Sequence, residues 1–201
     1  MGQFSKKVVS TVATLSTVLS SVGVGAFALP SVASADALMN GDRIKASGPA
    51  VYYFFNNRRY VFPNETTYRS WFSDFSGVRT ISDAELAAIT IGGNITIRPG
   101  TYLAKVTTDP KVYAITRGGV LNWVETEAVA TTLFGSNWAR RIVDIPDQLF
   151  NNYRVPEPLP RVSAMAHPDG TVISYANSSD RYVVWGGMRR RITDAGFAAN
   201  M

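Results

Sequence analysis

A block of this chain recurs at a fixed offset. Pro49-Ala50-Val51-Tyr52 returns as Pro110-Lys111-Val112-Tyr113, 61 positions later. The offset then holds without a gap, placing Phe62 on Trp123, Asn64 on Glu125, Tyr68 on Val129 and Phe72 on Leu133. Ile81-Ser82-Asp83 matches Ile145-Pro146-Asp147 at an offset of 64. A weaker third copy sets Tyr182 and Ile192 where Tyr52 and Phe62 stand. Repetition on this scale predicts one supersecondary unit used as a building block. It favours a display or interaction architecture over a single catalytic centre.

The first residues point to export. Lys6 and Lys7 precede an apolar run from Val8 to Pro30, and Ala33-Ser34-Ala35 follows. A charged start, an apolar stretch and an A-x-A pattern read as a signal peptide over residues 1–35. Ser and Thr interrupt the run, which argues against a permanent membrane anchor. Met1-Gly2 invites a myristoylation reading, but Lys6 stands where that motif wants Ser or Thr. Contact with the membrane is therefore expected only through the signal peptide, before cleavage.

Removing residues 1–35 takes away two lysines and no acid. It leaves 18 basic residues against 15 acidic, so the net charge falls from +5 to +3. That is mildly basic, and nucleic acid is not an expected partner. There is no cysteine. Thiol catalysis and cysteine-ligated metals are excluded, and an exported chain must hold together by its core alone.

Each copy opens on a tight turn: Asn40-Gly41, Pro99-Gly100 and Pro168-Asp169-Gly170. Strands are predicted over Ile95 to Arg98 and Tyr102 to Val106. A hairpin follows in each copy: Val51 to Phe55 and Arg58 to Phe62 around Asn56-Asn57, Val112 to Thr116 and Val120 to Val124 around Gly118-Gly119, Tyr182 to Trp185 and Met188 to Ile192 around Gly186-Gly187. Tyr52 and Phe54 face opposite to Tyr53 and Phe55, so both faces of that strand need cover from helices or a partner.

A helix capped by Asn64 is predicted next, with Tyr68, Trp71, Phe72 and Phe75 on one face. Val129, Leu133 and Phe134 supply the matching face of the second copy. Ser82-x-x-Glu85 is a capping box for a second helix, buried through Leu86 and Ile89, and Pro146 suits the first turn of its counterpart.

The fold class is thus α+β: tandem short hairpins, each followed by one or two short helices. The units span 36–99 and 100–154, an extended Pro-rich linker covers 155–161, and a partial third unit covers 162–201. Met201 falls one residue short of the counterpart of Phe72, so an incomplete helix face is expected there, with Ile192 and Phe197 only partly covered.

Gly41-Asp42-Arg43-Ile44-Lys45, Arg59-Tyr60-Val61-Phe62-Pro63-Asn64-Glu65, Thr80-Ile81-Ser82-Asp83-Ala84-Glu85-Leu86 and Thr107-Thr108-Asp109-Pro110-Lys111-Val112-Tyr113 carry a resemblance. Over residues 38–154 the chain resembles a repeat family of secreted, S-layer-like surface proteins of candidate-phyla (Parcubacteria-like) bacteria. The resemblance implies export and a cell-surface setting, and carries over no catalytic residue.

Candidate chemistry is sparse. His167, the only histidine, sits in a turn. No Asp-x-Asp-x-Asp run exists for calcium, and Gly92-Gly93 and Gly118-Gly119 lack the spacing and lysine of a phosphate loop. No cofactor is implied. Asp83 with Glu85, or Glu125 with Glu127, are the acid pairs a glycosidase would need, but their places at helix starts favour capping and dipole roles. No enzymatic activity is expected.

Four tryptophans are the possible sugar platforms. Trp71 and Trp123 read as core, whereas Trp185 flanks a hairpin turn and is the candidate exposed ring. Arg189-Arg190-Arg191, with Arg181, is the only basic cluster. It reads as a charged edge against strand addition, or as a contact for acidic wall polymer. The expected function is an exported structural or adhesive envelope protein, with a carbohydrate- or peptidoglycan-binding module as the alternative. Its partners would be envelope components, other surface chains or a glycan.

Overall fold

A computed structural model describes residues 37–193. The expected signal peptide with its cleavage point after Ala35, and the helix expected after Ile192 with Phe197, lie outside the described residues.

The first sheet grows from a three-stranded meander: β1 (Arg43–Lys45), β2 (Tyr52–Phe55) and β3 (Arg58–Val61). Asn56 and Asn57 close the β2–β3 hairpin with φ of 48° and 57°. Two consecutive positive φ values make the turn whose twist matches the flanking strands, and asparagine tolerates that region best after glycine. Helix α1 (Glu65–Trp71) follows, then β4 (Val78–Thr80), helix α2 (Asp83–Ala88) and β5 (Thr90–Asn94). The strand order is β4-β1-β2-β3-β5, and both outer strands run parallel to their neighbours.

The second sheet uses β6 (Leu103–Val106), β7 (Asp109–Thr116) and β8 (Val120–Val124) as an antiparallel meander. Helix α3 (Glu127–Phe134), β9 (Ile142–Ile145) and helix α4 (Asp147–Phe150) follow, and β9 runs parallel beside β6. The third sheet is the antiparallel order β10 (Val172–Ser174), β11 (Arg181–Trp185), β12 (Met188–Ile192). The fold is α+β, with several sheets and few, short helices.

Caps set the helix starts. The Asn64 side chain accepts from the Thr67 N–H at 2.8 Å. Ser82 and Glu85 complete the reciprocal capping box. Each such cap contributes about 1 kcal/mol.

Alternation along the strands then divides the core. In the first sheet Ile44, Ala46 and Phe54 are buried with Leu86 of α2. On the opposite face Arg43 donates to the Tyr68 hydroxyl of α1 at 3.0 Å, and its guanidinium lies 4.3 Å from the Phe72 ring. In the second sheet Ala104, Tyr113, Ile115, Leu121 and Ile145 pack with Tyr153 and Ile97. The other face packs Leu103, Ala114 and Val124 against Ala130 and Leu133 of α3, with Val162.

Three local expectations are corrected. Residues Ile95 to Arg98 form no strand; the strand is β5, one step earlier. Ile97 instead turns into the core of the second sheet, where its N–H donates to the Tyr153 hydroxyl at 3.2 Å. The four aromatics after Asn64 do not share one helical face. Helix α1 stops at Trp71, and Phe72 is extended. The Tyr68 hydroxyl donates to the Asp74 carbonyl at 2.8 Å, and that loop brings Phe75 back to stack on Tyr68 with centroids 4.2 Å apart. Phe75 remains 41% exposed.

The third correction concerns Pro146, which precedes α4 as its cap rather than lying in its first turn.

Residues 155–161, where the sequence places an extended linker, are anchored along β8 at both ends. The Leu121 N–H donates to the Arg154 carbonyl, the Trp123 N–H to that of Pro160, and the Val162 N–H to that of Trp123, at 2.8–2.9 Å. Parallel bridges pair Val120 with Arg154 and Trp123 with Arg161.

Candidate functional site

The residues singled out on the third sheet divide between its faces. The register sets Val184 opposite Arg189 and Tyr182 opposite Arg191; Val183 faces Arg190, Trp185 faces Met188, and Arg181 faces Ile192. Cross-strand partners share a face and neighbours alternate. Trp185, Arg181 and Arg190 therefore lie on one face, and Arg189 and Arg191 on the other. Arg189 donates to the Tyr175 hydroxyl, and its guanidinium lies 5.4 Å from the Tyr175 ring and 5.8 Å from that of Tyr182. Arg191 holds the Asp180 carboxylate through two nitrogens at 3.0 and 2.7 Å. These two arginines brace their own hairpin. Trp185 is exposed, with the Arg117 guanidinium 5.1 Å from its ring.

A larger feature lies on the α1 face of the first sheet. Tyr53 and Phe55 alternate with buried Phe54, so they leave β2 on the side away from α2. Their rings stand 6.3 Å apart and nearly parallel. Opposite them, α1 ends in Trp71 and Phe72. The Trp71 indole N–H donates to the Thr96 carbonyl at 2.8 Å, and the Ser70 hydroxyl accepts from the Arg98 N–H at 2.9 Å. These bonds hold the segment after β5 against the end of α1.

Between these walls lies a groove of about 480 Å³, lined by Gly41, Tyr53, Phe55, Phe62, Trp71, Phe72, Ile95 and Arg98. Phe62 is its buried floor, and Phe55, 42% exposed, stands at its rim. The Arg98 guanidinium lies 5.8 Å from the Trp71 ring. Burial pulls Arg98 below the usual arginine value, although a guanidinium stays protonated in proteins. Among the described residues no carboxylate lines the groove. Aromatic faces on both walls suit a ligand with flat apolar surface.

A second cleft of about 350 Å³ opens beside β8, lined by Thr116, Arg117, Asn122, Arg161, Val162, Ser163 and the turn residues Ala166 to Asp169. It is more polar. His167 Nδ1 is buried there without a hydrogen-bond partner. Asp169 accepts from the N–H groups of Gly186 and Gly187, at 2.9 and 3.2 Å, and so caps the β11–β12 turn.

Three of the four acids in the candidate pairs are engaged in local structure. Asp83 accepts from the Ser47 hydroxyl at 2.9 Å, Glu85 closes the capping box, and Glu125 accepts from Arg161 at 2.8 and 3.0 Å. Hydrogen bonds from the Ser82 N–H and hydroxyl hold the Glu85 carboxyl below its ordinary range. Among the described residues no three His, Asp or Glu side chains cluster to hold a metal ion, and no helix is long and apolar enough to cross a membrane.

The sequence predicts cover on both faces of β2 and so does not announce the groove. The available signal was the aromatic run Tyr52 to Phe55, which requires two covers, while a seven-residue helix can screen only part of one face. Comparison of the chain with protein-family models, characterised proteins and solved structures finds no match.

Proposed function

We propose that this chain is an exported, non-catalytic protein of the cell envelope, built from tandem copies of one hairpin-and-helix unit and acting as a structural or adhesive surface module. One observation carries the tandem-unit part of the reading. Both larger sheets set a parallel strand, β4 or β9, outside the first strand of an antiparallel meander. Both also receive a returning parallel segment on the last meander strand: β5 on β3, and residues 154 and 161 on β8. On this reading residues 155–161 belong to the second unit as its fifth-strand equivalent. Glu85 in its capping box and Glu125 in its ion pair with Arg161 support a role without catalysis.

The aromatic groove favours a second reading, a carbohydrate- or peptidoglycan-binding module. Sedimentation of the exported form with isolated cell envelopes tests both. Retention that soluble wall fragments do not displace supports a structural or adhesive module. Saturable retention displaced by those fragments supports glycan binding. A protein left wholly in the supernatant contradicts both.

A further inference from the structure

We propose that the aromatic groove of the first unit binds an uncharged, linear chain of β-1,4-linked pyranoses between its two ring walls. The inference rests on the tandem-unit and glycan-binding readings above, and names the ligand class. Three observations carry it.

The first is a contrast within the chain. β7 carries Ala114 and Thr116 where β2, 61 positions earlier, carries Tyr53 and Phe55. Phe134 stands eight positions after the Thr126 cap of α3, as Phe72 stands eight after the Asn64 cap of α1. In the second unit Gly100, Ala114 and Phe134 line the matching recess, and the next turn closes it through Pro168 and Thr171. Only about 10 Å³ remains there. In the first unit the chain takes another course. The bonds from Trp71 to the Thr96 carbonyl and from the Arg98 N–H to Ser70 hold it against the end of α1. About 480 Å³ stays open. A methyl group on Gly41 would meet only the Tyr53 hydroxyl, at 3.9 Å, whereas one on Gly100 would strike the following turn. The fold thus sets a small Ala114 where polypeptide fills the recess, and the Tyr53 ring where the recess is left for something else.

The second is the shape of the walls. Tyr53 and Phe55 stand on one side, nearly parallel, with Trp71 and Phe72 opposite and Phe62 beneath. All four wall rings are partly or largely exposed. The Arg43 guanidinium lies 4.3 Å from the Phe72 ring, and the Trp71 indole is fixed by its bond to Thr96, so that wall is held before any ligand arrives. A ligand ring between two aromatic walls must be apolar on both faces. A pyranose meets that need when its substituents are all equatorial, because C–H bonds then cover both faces. An axial hydroxyl or an axial linkage interrupts one of them. β-1,4-linked glucose or N-acetylglucosamine keeps every unit equatorial and runs as a straight ribbon through an open groove.

The third is charge. Among the described residues the lining holds no carboxylate, and its one cation, Arg98, is already engaged. Trp71 gives its N–H to Thr96, whereas the Tyr53 hydroxyl has no hydrogen-bond partner among the described residues. One free hydroxyl beside ring faces matches a neutral ligand that carries hydroxyls of its own.

Calorimetric titration of the exported form with cellotetraose and chitotetraose, both β-1,4-linked, and with α-1,4-linked maltotetraose tests the proposal. A β-linked chain is expected to bind, and maltotetraose at least about tenfold more weakly. A tenfold rise in salt should change the affinity by less than about twofold, since no ion pair forms. Phe55→Ala should weaken binding about five- to tenfold through the lost ring face. Tyr53→Phe, which keeps the ring, should weaken it about threefold or more. Thermal melts confirm that both variants fold. Maltotetraose bound as tightly as the β-linked chains overturns the linkage class, and affinity that falls steeply with salt overturns the neutral one. Unchanged affinity in both variants removes the groove as the site. No binding of any of the three overturns the proposal. If soluble wall fragments still displace the protein from envelopes, that failure leaves the glycan reading standing. Self-association lost on Phe55→Ala, by sedimentation velocity, assigns the groove to a second copy and overturns the proposal.

Discussion

Trp71 donates its indole N–H to the Thr96 carbonyl at 2.8 Å, across 25 residues of sequence. The bond fixes the end of α1 to the segment leaving β5, and so sets the width of the aromatic groove. Trp71→Phe keeps an aromatic wall but leaves that carbonyl without its donor. Loss of a part-buried hydrogen bond costs about 1–2 kcal/mol. Urea denaturation should show that loss, and an unchanged midpoint would show that the bond does not hold the wall.

Two stacked rings should differ sharply in worth. Tyr68 is 1% exposed and Phe75 is 41% exposed, although they stack at 4.2 Å. Tyr68→Ala opens a cavity and removes the hydroxyl that bonds both Arg43 and the Asp74 carbonyl, at a cost of about 3–5 kcal/mol. Phe75→Ala removes mainly the stacking contact, worth about 1 kcal/mol. Equal losses by chemical denaturation would contradict the burial assigned to Tyr68.

The three hairpins were legible because their turns have a local cause: Asn56-Asn57, Gly118-Gly119 and Gly186-Gly187 all adopt positive φ. The caps of α1 and α2 were legible for the same reason, since Asn64 and Ser82 bond to residues three positions away. What stayed hidden depends on distant partners. Periodicity extended α1 through Phe75, but Tyr68 and Asp74 hold a loop that ends it at Trp71. Three prolines between 156 and 160 read as a connector, yet β8 offers an unpaired edge that captures Arg154 and Pro160. The groove is a tertiary product of β2, α1 and the chain after β5, so no single segment announces it. The division of the arginine run between two faces was legible, because neighbours alternate along a strand, and the β11–β12 register agrees with it.

The turn at Gly100 packs against the turn at Gly170. A methyl group on Gly100 would lie 2.1 Å from the Gly170 carbonyl oxygen, and its φ is +76°. Gly100→Ala should therefore cost more than about 2 kcal/mol, from backbone strain and from separation of the two turns. Gly186→Ala has φ +60° but open space around it. Its cost is strain alone, about 1–2 kcal/mol. Hydrogen exchange should show β10 to β12 opening faster in the first variant; equal exchange in the two would deny the turn–turn contact.

The capping box makes stability depend on pH. Its hydrogen bonds from Ser82 lower the Glu85 carboxyl in the folded chain. A depressed folded value means that the stabilisation is present above the unfolded value, about 4.3, and is lost as pH falls through the folded one. The stability difference between the natural chain and Glu85→Gln should be steady near neutral pH and shrink below about pH 4. A difference that grows on acidification would reverse the sign argued for this residue.

The central claim is display outside the cell. Protease treatment of intact cells, with mass spectrometry of the released peptides and of the mature N-terminus, tests it most directly. The account predicts that peptides from residues 37–193 are released while the cells stay intact, and that the mature chain begins at Asp36. Protection of the chain until lysis, with Met1 still in place, would contradict it.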